Sequence, residues 1–560
     1  MVIKKEIKEE IRKQALYNLQ KFGKANEKAV LGAILSSNQE LRKKVDEVRK
    51  EINTIVKDVN SLSKEGVKKE LEKLPKKEVI IKEKTLKELP NAKKGKVVMR
   101  FSPSPSGPLH LGHAIGISLN SEYCKEYKGK LILRIEDTNP ENIYSPAYKM
   151  LEDDAQWITK NNVKEVLIQS DRLGFYYDYA EKLVNMGKAY VCECSSDAFR
   201  ELILKKKACS CRDLKKKEHE LRYAKMFSEY KPGEAVLRMK TDIENPNPAM
   251  RDFPLMRINE NKHPRKGTEH RVWPLMNLAV FVDDAETKVT HIIRAKDHMD
   301  NAKRQELLYN AFKLPIPIIL FFGRLNFKDL KISASETRKL ILEGKYTGWD
   351  DSRLPFIQAL KRRGYTPEAF VKLAIELGLS QNDKTVRKED FFKSLDSYNR
   401  EVIDPIANRF FFIGNPKKIK IKNVDKRKVN VELHPDFEMR GYREFNITEE
   451  FYIEEKDYLK LQDGLHRLMN CINFTKTNNK FEFHSNDYEN YKESGKMIIH
   501  WLTKDNIPVE IMMPDGSVKK GLAEKSLKKV KAGEMIQFER FGFCRFDKRE
   551  KDKIKLWFTH

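Results

Sequence analysis

The sequence predicts a multidomain protein combining α/β and all-β parts. A doubly wound domain with an insertion is followed by a helical connector and C-terminal antiparallel β-barrels, and a helical appendage precedes them all. Three observations carry this. Apolar strands alternate with helices from Val97 onward, and four cysteines with Pro-rich loops interrupt them between 190 and 260. From about Ile403, short runs of β-branched and aromatic residues recur between turn residues. At 560 residues the chain is also too long for one core.

Residues 1–75 form the appendage: Ile3, Ile7 and Ile11 recur at i, i+4, and Ala29, Leu31, Ile34 and Leu41 mark a second amphipathic face. Residues 76–96, with Pro90-Asn-Ala-Lys-Lys-Gly95, read as a polar linker. The first half of the doubly wound domain spans 97–189. It holds strand Val97–Phe101, helix Ala114–Tyr127, strand Leu131–Ile135, helix Tyr148–Lys160 and a short strand Val166–Gln169. Parallel sheets of this kind bind ligands at the carboxyl ends of their strands, so Arg100–His113 and Glu136-Asp137 should face one crevice. The insertion covers 190–260. The second half, 261–340, brings strands at Val289–Arg294 and Pro317–Phe322. A helical connector, 341–402, is punctuated by Gly344, Gly348 and Gly364. The barrel region is 403–560, with strands such as Lys428–Leu433, Phe451–Ile453, Lys480–His484, Met497–Leu502, Val509–Met512 and Met535–Phe541.

Charged residues make up 34% of the chain and the net charge is +26, which points to a polyanionic partner, nucleic acid above all. Plentiful acidic residues exclude a simple polycation. No uncharged run reaches membrane-span length and the N-terminus has no apolar stretch of signal-peptide size, so a cytoplasmic protein with no membrane partner is expected. Seven cysteines in this length make no disulfide framework. Cys192-Glu-Cys194 and Cys209-Ser-Cys211 form two C-x-C pairs whose thiolates can close a tetrahedral structural Zn2+ site. His219 is an alternative ligand and paired buried thiols are the bland alternative. Cys124, Cys471 and Cys544 read as small buried residues.

The most informative stretch is Arg100-Phe-Ser-Pro-Ser-Pro-Ser-Gly-Pro-Leu-His-Leu-Gly-His113. It leaves a strand, turns, and opens a helix at two histidines. A helix start offers unpaired N–H groups and a positive dipole end to phosphate, and glycine lets a ligand approach the backbone.

Taken with Arg134-Ile-Glu-Asp-Thr-Asn-Pro140, Val289–His298, Gly348-Trp-Asp-Asp-Ser-Arg-Leu-Pro355, Met497–Trp501 and Phe538–Arg545, that stretch resembles the "HIGH" segment of class I aminoacyl-tRNA synthetases, glutamyl/glutaminyl branch. The likeness runs from about 96 to 560, and the β-barrel tail is similar to that of archaeal-type glutamyl-tRNA synthetases. The resemblance implies a Rossmann-type catalytic domain, with the insertion holding the acceptor end and the barrels binding the anticodon. It also implies a two-step ligation by a monomer. L-Glutamate and ATP, with Mg2+, give glutamyl-adenylate and pyrophosphate. The glutamyl group then passes to the 3′ end of tRNA(Glu), with tRNA(Gln) an open second acceptor.

By the same resemblance His110, His113 and Lys331 are catalytic, and Pro103, Gly112, Ser333 and Ser335 join the two histidines at ATP. Arg100 and Arg294 are assigned to the substrate carboxylates and Glu136 to its ammonium, with Ser102 and Ser104 as hydrogen-bond donors. Met276 and Val280 stand where the family places polar residues, which leaves Asn277 and Trp273 to compensate. In Lys331-Ile-Ser-Ala-Ser335, the "KMSKS"-like loop, Ala334 replaces the second lysine. Lys328, Arg338 and Lys339 are candidates to stand in, as are Ser333, Ser335 and backbone donors. Ser104 and Glu136 favour glutamate over glutamine. The alternatives are a glutaminyl enzyme and a noncatalytic tRNA-binding relative. Phe437, Tyr442 and Phe445 are candidate anticodon readers beside the basic runs Lys417–Lys428 and Lys519–Lys531, against the plainer expectation that such aromatics are barrel core.

Overall fold

The computed structural model describes residues 5–37, 41, 45–72 and 85–560. Two compact units divide the chain after Glu83. The first holds helices α1 (Lys5–Phe22), α2 (Glu27–Ser37), α3 (Val45–Ser61) and α4 (Lys64–Glu72). Its core gathers Ile11, Ala15, Ile34, Val48, Ile52, Val56 and Val59, the i, i+4 positions of amphipathic helices. Ile3 lies outside the described residues, as does the 76–84 part of the expected linker. The rest of that linker is packed structure. Leu86 and Leu89 join the core of the doubly wound domain, the Leu89 N–H donates to the Tyr127 hydroxyl at 3.1 Å, and the Pro90 carbonyl contacts His291 Nε2 at 2.9 Å. Two leucines among charged residues were enough to anchor it.

In the second unit, β1 (Val98–Phe101), α5 (Leu111–Glu126), β2 (Lys130–Ile135), α6 (Ala147–Thr159), β3 (Val163–Ile168) and α7 (Leu173–Asn185) follow the expected alternation. Strands β1, β2 and β3 are parallel in that order. The insertion contributes β4 (Ala189–Cys192), α8 (Ser196–Leu204), α9 (Lys216–Met226), β5 (Val236–Met239), β6 (Pro254–Ile258) and β7 (Val272–Pro274), one antiparallel sheet in sequence order. It therefore runs to Pro274 and not to 260; a polar loop hides the final strand from a periodicity reading. Next come α10 (Met276–Glu286), β8 (His291–Ala295), α11 (Met299–Phe312) and β9 (Ile318–Phe322). Parallel pair β8–β9 meets β1 through Thr290, whose N–H donates to the Val98 carbonyl while its hydroxyl accepts from Val98 N–H, both at 2.9 Å. The chain leaves β1 for β2 on one side and returns to it with β8 on the other, so a crevice opens where the order reverses.

The connector is not purely helical. Short β10 (Leu325–Phe327) leads to α12 (Ala334–Leu342), α13 (Ile357–Arg363) and α14 (Pro367–Leu377), and then β11 (Lys384–Val386) pairs parallel with β10 before α15 (Lys388–Ile403).

Beyond α15, two seven-stranded sheets and an antiparallel pair, Arg427–Glu432 with Tyr442–Ile447, form the C-terminal region. One has Asn408–Phe410 and Phe412–Ile413 as its edge strands; the other has Gly495–Ile499 and Trp501–Leu502. Each pair of edges is separated by one residue, Phe411 or His500, so each sheet curls until its ends meet, as in a barrel. Pairing is mixed, not antiparallel throughout: Asn408–Phe410 runs parallel to Met535–Phe538, and Pro416–Lys422 parallel to Lys480–Ser485. The parallel pairs arise because sequence-distant strands close the sheets.

The closures touch. His500 Nε2 lies 2.7 Å from the Phe412 carbonyl, and Phe411 N–H donates to Glu524. The Arg443 guanidinium covers the Phe411 ring at 4.4 Å and bonds Glu524 at 2.7 Å. Burial raises the Glu524 carboxyl above its usual range despite Arg443. Arg443→Met should therefore cost about 3–5 kcal/mol at pH 8, because a buried carboxylate loses its counterion. With the folded-state pKa raised further, the folded protein binds the extra proton. Thermal unfolding should then show the deficit shrinking as pH falls from 8 to 5. An equal deficit at both pH values would contradict this.

Candidate active site

The crevice encloses about 1030 Å³ between the ends of β1, β2 and β8 and the loops after β9. Arg100, Ser102, Pro103, Ser104, His110, Gly112, His113, Glu136, Arg294 and Lys331 all line it, so residues spread over more than two hundred positions converge; Asp137, expected beside Glu136, is instead turned to the Tyr148 hydroxyl and Ser170 N–H.

The histidine segment is fixed by backbone bonds. Leu111 N–H donates to the Pro355 carbonyl at 3.2 Å and Ile357 N–H to the Leu109 carbonyl at 2.8 Å, which explains the Gly348–Pro355 motif. His110 caps α5: its Nδ1 accepts from Gly112 N–H at 3.1 Å and from His113 N–H at 3.4 Å. With Nδ1 accepting, the neutral ring carries its proton on Nε2. The two imidazoles stack at 3.7 Å. Burial lowers His110 to about 4, and burial together with His110 holds His113 well below the usual imidazole range. Both are therefore neutral N–H donors near pH 7.

At the other end, α10 is apolar until it delivers two buried carboxylates, Asp283 and Asp284. Asp284 is shared by Arg100, at 3.3 Å, and Arg134, at 2.6 Å. Burial would raise its carboxyl, but the two arginines outweigh burial and hold it low. Arg134 also bonds Glu136 at 3.0 Å. Arg100 and Glu136 are thus tied to Asp284 and Arg134, not to each other. Asp283 accepts from Arg172, Gln169 and Tyr176. Arg294 differs: its Nη1 donates to Gln305 Oε1 at 3.0 Å, and among the described residues no carboxylate pairs with it. Burial, then Arg100, pushes it down to about 9. The Ser102 hydroxyl and His113 Nδ1 are buried without hydrogen-bond partners.

Several expected positions fall elsewhere. Met276 and Val280, one helical turn apart, face the crevice, while Asn277 is rotated about 100° away and does not line it. Trp273 is buried against His263, its indole N–H on the Asn259 carbonyl. Ser333 caps α12 by accepting from Glu336 N–H, Ser335 lies 3.4 Å from Ser333, and neither lines the crevice. Lys331 does, its ammonium 2.7 Å from Glu336. Ala334 faces the first loop, where a Cβ on Gly107 would come within 3.0 Å of both Ala334 Cβ and Trp349. None of Lys328, Arg338 and Lys339 reaches the crevice. Arg324 and Lys384 do, brought by the β10–β11 pairing that sequence periodicity did not reveal. The two aspartates of α10 were visible as a charge pair ending an apolar helix.

The cysteine cluster is assembled. Sγ atoms of Cys192, Cys194, Cys209 and Cys211 all lie within 4.8 Å of one another, with Cys192–Cys209 at 3.8 Å and Cys194–Cys211 at 3.9 Å. Tetrahedral zinc with Zn–S near 2.3 Å requires S···S separations of about 3.8 Å, so the thiols fit it. His219 is buried beside Tyr190 and is not one of the four. In the barrel region Phe445 is core, against Trp501 at 4.8 Å, whereas Phe437 and Tyr442 are exposed. A separate cavity of about 490 Å³ is lined by Lys456, His500, Lys519, Lys520, Arg540 and Phe541.

Comparison with known proteins agrees with this layout. The model of the catalytic domain of tRNA synthetases class I (E and Q) matches residues 96–405, and two models of anti-codon binding domains of the same group match 407–491 and 498–547. A glutamate–tRNA ligase of Methanocaldococcus jannaschii is 42% identical over 562 residues, covering 99% of this chain and 100% of that protein. One from Pyrococcus furiosus is 43% identical over 98% of each. A solved glutamate tRNA ligase from Elizabethkingia meningosepticum overlays with TM-score 0.40 at 19% identity, over 56% of this chain and 70% of that one. With its catalytic and anticodon-binding parts matched in order, the chain belongs to the class I tRNA synthetases of the E and Q branch.

Proposed function

We propose that the chain ligates L-glutamate to the 3′ end of tRNA(Glu) through glutamyl-adenylate, consuming ATP and releasing pyrophosphate and AMP. One observation carries the choice of amino acid. In the ion-pair network at and behind the amino-acid end of the crevice, cations Arg100, Arg134, Arg172 and Arg294 meet anions Asp283, Asp284 and Glu136, four against three, leaving one positive charge in that network. Glutamate, with two carboxylates and one ammonium, is the complement; glutamine has no net charge. Arg294 is the group with an unmet need, and an arginine fork suits a carboxylate. The curated relatives carry the same activity in their names. A noncatalytic relative has no use for a buried cation held without an ion-pair partner.

In this reading the substrate α-carboxylate attacks the α-phosphorus of ATP, which enters with Mg2+, and pyrophosphate leaves. A terminal ribose hydroxyl then attacks the mixed anhydride and AMP departs. No protein nucleophile takes part, so catalysis is positioning and stabilisation of developing charge. His110 Nε2–H and a His113 N–H donate to phosphate oxygens, Pro103 and Gly112 admit the nucleotide, and Lys331 meets the leaving pyrophosphate. Arg294 and Arg100 hold carboxylates, Glu136 the ammonium, and Ser102 and Ser104 donate hydrogen bonds. The four cysteines hold a structural Zn2+ that orders the acceptor-end insertion. The basic cavity between the barrels takes an anticodon base, with Phe437 and Tyr442 exposed for stacking. No helix among the described residues is long and apolar enough to cross a membrane. We place the protein in the cytoplasm as a monomer, with tRNA(Gln) a second acceptor to be tested with transcripts.

His110→Ala and His113→Ala should each slow glutamate-dependent pyrophosphate exchange by ~10²-fold or more, as loss of a preorganised donor does; near-wild-type exchange in both would remove them from the chemistry. Arg294→Gln should raise KM for glutamate ~10–100-fold, the worth of a hydrogen bond to a charged group. An unchanged KM would unseat the carboxylate assignment. For the metal, elemental analysis should find zinc in the wild type and none in a Cys209→Ser, Cys211→Ser protein; equal content in both would refute the site.

A further inference from the structure

One buried carboxylate beside the histidine segment has no place in this chemistry. Asp154, on α6, is 4% exposed, and its Oδ2 accepts a 3.0 Å hydrogen bond from the backbone N–H of Leu109. The backbone of Leu109 is held on both sides, since its carbonyl, in the peptide that leads to His110, accepts from Ile357 N–H at the start of α13. The Leu109 side chain is fully buried, and the next residue is His110, whose ring caps α5. We propose that Asp154 is a positioning residue that fixes the Leu109 peptide and thereby aims the His110–His113 pair at the triphosphate. It reaches no substrate, because it does not line the crevice. The inference rests on the assignment of the two histidines to phosphate.

The physical argument is one of leverage. A carboxylate accepting a backbone N–H makes a charge-assisted bond, stronger than a neutral one. It acts one residue from an imidazole whose N–H must meet a developing charge, and small misplacements there are costly. The amino-acid end sits on β1, β2 and β8 and is secured separately through Asp284, so loosening Leu109 should spare it.

The bond is also tunable. Burial raises Asp154 to about 7, against the Leu109 hydrogen bond and Lys361 of α13, which favour the charged form; Asp153 on its own helix disfavours it. Helices α5 and α14 and strands β2 and β3 also pack on α6. Of the histidines near it, His110 is lowered to about 4 and His113 well below the usual imidazole range, both by burial, so neither titrates near neutrality. Below pH 7 the protonated carboxyl keeps only a neutral acceptor for Leu109.

The test is pyrophosphate exchange by the full chain, wild type against Asp154→Asn and Asp154→Ala, at saturating glutamate and ATP from pH 5.5 to 8.5. Asp154→Asn keeps an acceptor without a titrating group. It should retain the wild-type thermal midpoint and KM for glutamate, with a kcat profile that lacks the wild-type fall below about pH 7. Asp154→Ala should lose kcat by ~10-fold to ~10²-fold, with KM for glutamate within about twofold of wild type. Superimposable pH profiles of wild type and Asp154→Asn would overturn the proposal, even if the alanine variant does not fold. So would a folded Asp154→Ala with wild-type kcat. The His110→Ala and His113→Ala enzymes run alongside separate the two claims: if they are fully active, the phosphate assignment fails, and not merely the role of Asp154.

Discussion

Everything at the amino-acid end depends on one shared carboxylate. Asp284 lies fully buried at the end of an apolar helix and neutralises parts of two arginines that come from neighbouring strands. Placing such charges in the interior is costly unless each is paired and hydrogen-bonded. Asp284 meets that condition for Arg100 and Arg134, and Asp283 does so for Arg172. Arg294 is then left as the one inner cation held only by an amide oxygen. The arrangement stores a preformed need for an anion at a buried position.

The same helix ties site to fold. Its apolar residues, among them Leu278, Phe281 and Val282, belong to the core that also contains α7, α11 and the insertion. The insertion that is proposed to hold the acceptor end and the carboxylate that orders the substrate arginines therefore share one packed body. On the other side, the Pro355–Ile357 backbone both pins Leu109 and Leu111 and begins α13. Arg362 of that helix pairs with Asp547 and stacks on Trp557 in the barrel region, so short rigid pieces connect histidine segment and barrel.

Much of this was legible in the sequence. The α/β alternation gave the strand ends, and strand ends in a doubly wound sheet converge, which brought Arg100–His113 and Glu136 together; Arg294 came from the family resemblance. The four cysteines were legible from spacing. What escaped has physical reasons. Asn277 was chosen by proximity in sequence, but one residue on a helix is a rotation of about 100°, enough to take it from the crevice. Ser333 looked like a ligand group and is a helix cap, a role the same hydroxyl chemistry serves. Arg324 and Lys384 arrive through a three-residue parallel pair too short to leave a periodic trace. Barrel closure through Phe411 and His500 depends on strand order, which is set by contacts far apart in the chain.

The central claim is that Arg294, the buried cation at the amino-acid end with no carboxylate partner among the described residues, selects the amino acid. It is tested most directly by the ratio of kcat/KM for glutamate to that for glutamine in pyrophosphate exchange with tRNA present. The account predicts a strong preference for glutamate, on the order of 10²-fold or more, because glutamine brings one carboxylate where Arg100 and Arg294 await two. Equal use of the two amino acids, or a preference for glutamine, would contradict it.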